Sequence, residues 1–315
     1  MKKLIIVLAF IMALVVPFTA FAGARSDSGR KTVAVLIPGP AGYFNATKEG
    51  IDRAARDFNV NVVYADANWN AATQMSQIED FIARKVDMIA VCCVDAKAIE
   101  AAVPRIRAAN IPVIAFTNGI GLAPTGEYAG LVTYVGQNEV DTGYIVGQYA
   151  RQLLGSGGGR VVMIEGVPGT TPQINRRQGF LQAIWEQPNI EVIYTASSEW
   201  DKEKAMKITE DLIQSQRQFE LVYAQDAGSG AGAAMALAEA GRRAYIVAID
   251  GSREAMESVK SGLINSTTWM SAVEEGYKTI EAAHKYFNGE TLPAVTQIKQ
   301  ILITRDNADQ YQGEF

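Results

Sequence analysis

Short apolar runs alternate with amphipathic helical stretches along nearly the whole chain, and that alternation leaves few folds open. The runs read as strands at 32–37, 60–64, 88–92, 112–116, 132–136, 160–165, 191–194, 221–224 and 245–249. Most are continuously apolar rather than alternating, the mark of strands buried on both faces. Helical spacing fills the gaps at 43–58, 71–84, 96–108, 140–154, 172–185, 202–216, 229–240 and 253–260. The pattern predicts an α/β protein with parallel, doubly wound sheets covered by helices. One sheet of so many strands would be unusually wide, and 315 residues suit two domains. The expectation is two lobes, with a break near Gly136-Gln137-Asn138. A final strand–helix–strand segment (265–269, 272–287, 297–303) has the right size to cross back and complete the first lobe.

Composition removes several classes of function. Hydrophobic residues make up 48% and charged residues 20%, too apolar for a disordered chain. Acids outnumber bases 34 to 29, so the basic footprint of a nucleic-acid binder is missing. Two cysteines and one histidine exclude a disulfide scaffold and a His-rich metal site. Cys92 and Cys93 are adjacent and would point to opposite faces of a strand, so they read as small buried apolar residues rather than a redox pair. The first 22 residues read as a secretory signal peptide: Lys2 and Lys3, an uncharged apolar run at 4–16, Pro17, then Ala20-Phe21-Ala22. The run is shorter than the ~20 residues of a bilayer-spanning helix. The expected product starts near Gly23, is soluble and is exported to the periplasm or the outer face of the cytoplasmic membrane.

Ligands of open parallel sheets bind beyond the carboxyl ends of the strands. Those positions hold aromatics (Tyr43, Phe44, Trp69, Trp200), carboxylates (Asp66, Asp95, Asp226, Asp250), Arg176 and the amides Asn68 and Asn118. Flat rings for C–H faces and planar groups for hydroxyls suit a small polar ligand such as a sugar. Each residue also has a purely structural reading. Tyr43 and Phe44 could pack a helix start, Trp69 could lie on the surface, and Arg176 could be solvated beside Arg177. Asp226 and Asp250 could be helix N-caps, Asp66 an Asx turn, and His284 a solvated helix residue. Gly228-Ser-Gly-Ala-Gly-Ala233 fits a dinucleotide-binding pattern, but Asp226 ahead of it would repel a pyrophosphate. No G-x-S-x-G or P-loop pattern occurs, and no catalytic, metal or cofactor residues are assigned.

Seven markers run in order from Lys31 onwards: Tyr43-Phe44 with Lys48-Glu49-Gly50, Asn110-Ile-Pro-Val-Ile114, Val135-Gly-Gln-Asn138, Gly169-Thr-Thr-Pro-Gln-Ile-Asn-Arg-Arg-Gln-Gly-Phe180, Tyr223-Ala-Gln-Asp226 and Ile249-Asp-Gly-Ser252. In these the chain resembles the periplasmic sugar-binding proteins of the ribose-binding type, the solute-binding components of ABC transporters. The resemblance implies a type I periplasmic binding protein fold, with two lobes joined by a three-crossover hinge near Asn138, Met270 and Lys299. It implies an N-terminal lobe of 31–137 plus 271–298 and a C-terminal lobe of 138–270 plus 299–315. It places ligand contacts on Tyr43, Phe44, Thr117, Asn118, Arg176, Trp200, Asp226 and Asp250, with Trp69, Asn138, Trp269 and Met270 as further candidates. Thr117-Asn118 stand where the ribose binder has an Asp-Arg pair, Ala41 where it has Asn, and Met270, beside Trp269, where it has Gln. These changes disfavour ribose itself and favour another monosaccharide or a polyol. The implied partner of a monomeric protein is an ABC permease, without nucleic acid or cofactor. The alternatives are a sensor serving a chemoreceptor or membrane kinase, or a binder of a nucleoside or cationic solute.

Overall fold

The computed structural model describes residues 29–315, and Lys31–Phe315 form one compact unit. The expected signal peptide lies outside the described residues. Two six-stranded sheets organise the unit. The first is built from β1 (Thr32–Ile37), β2 (Asn61–Asp66), β3 (Met88–Val91), β4 (Val113–Phe116), β5 (Thr133–Gly136) and β11 (Val295–Gln297), in the order β2-β1-β3-β4-β5-β11. The second is built from β6 (Gly159–Glu165), β7 (Ile190–Ser197), β8 (Leu221–Ala224), β9 (Tyr245–Val247), β10 (Ser266–Trp269) and β12 (Ile301–Thr304), in the order β7-β6-β8-β9-β10-β12. The pairings are parallel, with β12 antiparallel to β10 as the exception. Each order reverses direction beside its first strand, between β1 and β3 and between β6 and β8, which opens a crevice at those strand ends.

The helices are α1 (Gly42–Asp57), α2 (Ala71–Arg84), α3 (Ala96–Glu100), α4 (Val103–Ala108), α5 (Glu139–Leu154), α6 (Thr171–Trp185), α7 (Lys202–Gln214), α8 (Ala227–Glu239), α9 (Arg253–Ser261) and α10 (Ala272–Phe287). Alternate residues of the central strands feed opposite faces. Val33, Val35 and Ile37 pack with Ile51 of α1 and Ile280 of α10, while Ala34 and Leu36 meet Ile78, Phe81 and Ile106 from α2 and α4. In the second sheet Val161 and Met163 face Val146 and Phe180 of α5 and α6, and Val162 and Ile164 face Leu212, Leu237 and Val259 of α7, α8 and α9. Each such valine, leucine, isoleucine, methionine or phenylalanine contributes roughly 1.5–3 kcal/mol by leaving water, so the sheets form a stiff frame for the loops at their ends.

Two expected elements are divided. The single helix expected over 96–108 is broken into α3 and α4, because Pro104 lacks an N–H and its ring clashes with the carbonyl four residues back. The strand expected at 297–303 is two short strands, β11 and β12, one in each sheet, with the chain passing between sheets at 298–300. The chain also passes between sheets after β5 and after β10. Gln300 Nε2 donates to the Asn138 carbonyl at 3.1 Å, tying two of these passages together. Among the described residues no helix is long and apolar enough to cross a membrane.

Candidate ligand-binding site

The carboxyl ends of both sheets face a cleft of about 620 Å³. Its apolar walls repeat one local device. In the first lobe β1 is followed by Gly39 and β2 by Asn68-Trp69; in the second, β6 is followed by Gly166 and β7 by Glu199-Trp200. All four residues of the two dipeptides have positive φ, between 47° and 65°. The following residue, Asn70 or Asp201, then caps the next helix, accepting from the N–H three residues on. The tight turn lays each indole against its glycine. A Cβ on Gly39 would lie 2.4 Å from Trp69 Nε1, and one on Gly166 would lie 1.8 Å from Trp200 Cη2. Left-handed non-glycine residues cost about 1–3 kcal/mol each and collect at functional sites. Thr117 and Asp250, at the ends of their strands, share the feature, with φ of 53° and 134°.

Phe44 is buried, packing on Tyr43 at 5.7 Å and Trp69 at 6.2 Å between ring centroids. Tyr43 packs against the cores of both lobes. Its hydroxyl donates to Glu275 Oε2 at 2.8 Å and accepts from Gln137 Nε2 at 3.4 Å. Thr117 Oγ1 donates to the same Glu275 oxygen at 2.5 Å. Glu275 Oε1 and Gln137 Oε1 are buried without partners. Burial raises the Glu275 carboxyl to about 8, with the nearby Glu139 adding to the effect. Asn118 is buried, and its side chain is held by the Cys93 carbonyl at 2.7 Å.

The second lobe supplies the charged floor. Arg176 makes a bidentate pair with Glu139 at 2.7 and 2.9 Å and donates to the Gln225 carbonyl at 2.8 Å. Its guanidinium lies 6.0 Å from the Trp200 ring centroid. Asp226 caps α8, accepting from Ser229 N–H at 2.9 Å and from the Ser229 hydroxyl. Asp250 is no cap, since Ser252 caps α9; its Oδ1 accepts from Ser252 N–H at 2.7 Å. Burial, then the charge of Asp226, raises the Asp250 carboxyl to about 6; burial likewise raises Asp226. Loops of the two sheets meet beside the cleft, where Ala96 N–H donates to the Gly169 carbonyl at 3.2 Å and Gly119 N–H to Thr171 Oγ1 at 3.0 Å.

Of the twelve residues the resemblance put forward as ligand contacts or further candidates, ten line this cleft: Tyr43, Phe44, Trp69, Thr117, Asn118, Arg176, Trp200, Asp226, Asp250 and Met270. Two lie elsewhere. Asn138 caps α5, its side-chain oxygen accepting from Val140 and Asp141 N–H. Trp269 turns away and donates to the Gln312 carbonyl at 2.9 Å. Gln137 and Phe315 also line the cleft. Gln137 directly follows β5, so the strand-end rule could have selected it in place of its neighbour Asn138. Glu275 and Phe315 follow no strand end and carried no comparable signal. The glycine-rich run opens α8, where Gly232 sits against the Lys202 carbonyl, a Cβ there lying 2.3 Å away; small residues there serve helix packing.

The periplasmic binding protein domain family matches residues 33–291. The chain belongs to that family. It is 30% identical over 286 residues to the xylitol-binding protein of Mycolicibacterium smegmatis, covering 90% of this chain and 80% of that one. The ribose import binding protein of Escherichia coli K12 is 26% identical over 306 residues, covering 97% and 99%. Among solved structures, an ABC transporter solute-binding protein from Bacillus halodurans C-125 with bound myo-inositol superposes with a TM-score of 0.85 at 25% identity, covering 92% of this chain and 100% of that one. The fold is that of a type I periplasmic binding protein: two parallel-sheet α/β lobes with the chain passing between them three times. The family is one of binding proteins.

Proposed function

We propose that the protein is an exported solute-binding protein that closes around one monosaccharide or polyol and delivers it to an ABC importer. The closing units are 31–137 with 271–298, and 138–270 with 299–315. The observation that carries the reading is the composition of the cleft. Indoles on opposite lobes, Trp69 and Trp200, offer faces for C–H groups, and Asp226, Asp250 and Arg176 offer planar hydrogen-bonding groups for hydroxyls. The carboxyls of Asp226 and Asp250 are both pushed up by burial, an environment relieved by hydroxyl donors. Of the relatives above, one is a xylitol-binding protein and another holds bound myo-inositol, which supports a polyol over ribose. A ligand touching both lobes stabilises the closed arrangement by its differential affinity for it. The site binds without catalysing a reaction.

A thermal-shift panel of polyols, inositols, pentoses, hexoses, nucleosides and amines tests this. A ligand at ~100 times its dissociation constant stabilises by about 2.7 kcal/mol. The expected hit is a polyol or monosaccharide. Stabilisation by nucleosides or amines alone would overturn the ligand class and keep the fold.

A further inference from the structure

Residues 312–315 run along the cleft on its hinge side and are fastened to both lobes. On the second-lobe side, Arg253 N–H donates to the Phe315 main-chain oxygen at 2.8 Å, and Glu314 N–H donates to the Gly251 carbonyl at 3.2 Å, next to Asp250. At the start of α10, which packs on α1 of the first lobe, the Glu314 carboxylate accepts from the Ser271 hydroxyl and from Val273 N–H at 3.0 Å. A carboxylate is favourable at a helix N-terminus. Trp269, absent from the cleft, holds the Gln312 carbonyl.

These anchors aim one side chain inward. The Phe315 ring packs edge-on against Tyr43 at 5.6 Å between centroids, lies over Gly42 and lines the cleft. It belongs to none of the four core clusters among the described residues. An aromatic ring carried on a segment held by these five hydrogen bonds, yet contributing to no core, has the cleft as its surroundings. We propose that Phe315 is a specificity-determining residue, the hinge-side wall that limits the ligand to a single monosaccharide- or polyol-sized unit. Glu314 is its positioning residue. The inference rests on the reading of the cleft as a sugar or polyol site.

The test is calorimetric titration of the full chain with monomeric polyols and sugars and with disaccharide alcohols such as maltitol and lactitol. Wild type is expected to prefer the monomeric ligand by roughly 100-fold or more. Phe315→Ala is expected to weaken that ligand about tenfold, by loss of ring contact, and to narrow the preference at least tenfold. Phe315→Leu keeps apolar bulk and should retain most of the preference. Glu314→Ala frees the segment and should reproduce Phe315→Ala, whereas Glu314→Gln should not. Monomer and disaccharide affinities within twofold of wild type in Phe315→Ala would overturn the assignment. So would a fall in the ligand-free thermal midpoint that Phe315→Leu does not rescue, which would make the ring a structural prop. Wild type binding no hydroxylated ligand would overturn the reading of the cleft itself; wild type binding one while Phe315→Ala is unchanged overturns this step alone.

Discussion

Glu275 offers a sharp test of the electrostatics beneath the cleft. Its Oε2 takes both available donors, the Tyr43 and Thr117 hydroxyls, and its Oε1 has none. Burial raises the carboxyl to about 8, against about 4.3 in an unfolded chain. Between those values the folded protein holds one proton more than the unfolded chain. Stability contributed by this site is therefore complete at acid pH and is lost as pH rises towards the folded pKa. At 1.36 kcal/mol per pKa unit, the loss between pH 6 and pH 8 is about 2 kcal/mol, with little more by pH 9. Glu275→Gln keeps a carbonyl for both hydroxyls and removes the proton equilibrium. Thermal unfolding of both proteins from pH 6 to pH 9 should show the variant gaining on wild type by roughly 4–8 °C. The Asp250 titration is common to both and drops out of the difference. A gap between the two melting curves that stays constant over that range would refute the argument, because Glu275 would then hold one protonation state throughout.

Gly166→Ala would place a methyl 1.8 Å from Trp200 Cη2 and force the indole off its seat; ligand affinity should fall about tenfold or more while the ligand-free melting point barely moves. Arg176→Leu leaves Glu139 buried without its partner, so urea unfolding should show a loss of about 3–5 kcal/mol, much of it recovered by adding Glu139→Leu. Asp250→Asn should weaken ligand binding in calorimetry yet stabilise the ligand-free protein. Since the folded carboxyl is raised to about 6, that gain should be larger at pH 7.5 than at pH 5.

The sheets were legible in the sequence because a parallel strand buried on both faces must be apolar at every position, as in 33–37 and 221–224, and the shortness of these runs between helical stretches separates them from buried helices. Strand ends were legible for the same reason, since the next polar residue must lie at a sheet edge, which is how Asn118, Asp226 and Asp250 stood out. What escaped were groups brought in from elsewhere. Glu275 follows a helix cap, not a strand, and reads as one more acid in Ala272-Val-Glu-Glu; only its packing under Thr117 gives it a role. Phe315 follows no periodic element. Asn138, put forward by the resemblance, is the cap of α5, whereas its neighbour Gln137, the first residue after β5, lines the cleft. No turn signal interrupts Ile298-Lys-Gln300, so periodicity alone reads 297–303 as one strand, while the resemblance puts a crossing near Lys299.

The two lobes divide the recognition task unequally. Their aromatic walls come from one repeated turn, a glycine after the first strand and an indole after the second, so stacking is nearly symmetric. The polar groups are not. In the first lobe Asn118 is held by Cys93, and Thr117 donates its proton to Glu275, which leaves the Thr117 hydroxyl oxygen as an acceptor. In the second lobe two half-buried carboxylates lie beside an arginine whose Nε and one face are fixed by Glu139. A carboxylate has about four lone-pair sites, so Asp226 and Asp250 keep acceptor capacity beyond their bonds to Ser229 and Ser252. A ligand that excludes water from them without reaching them with a hydroxyl leaves that acceptor capacity unmet, a larger penalty than a lost stacking contact. Discrimination among polyols should therefore be governed by the second lobe, with mutations at Asp226 and Asp250 reordering the ligand series and mutations at Trp69 weakening all ligands alike.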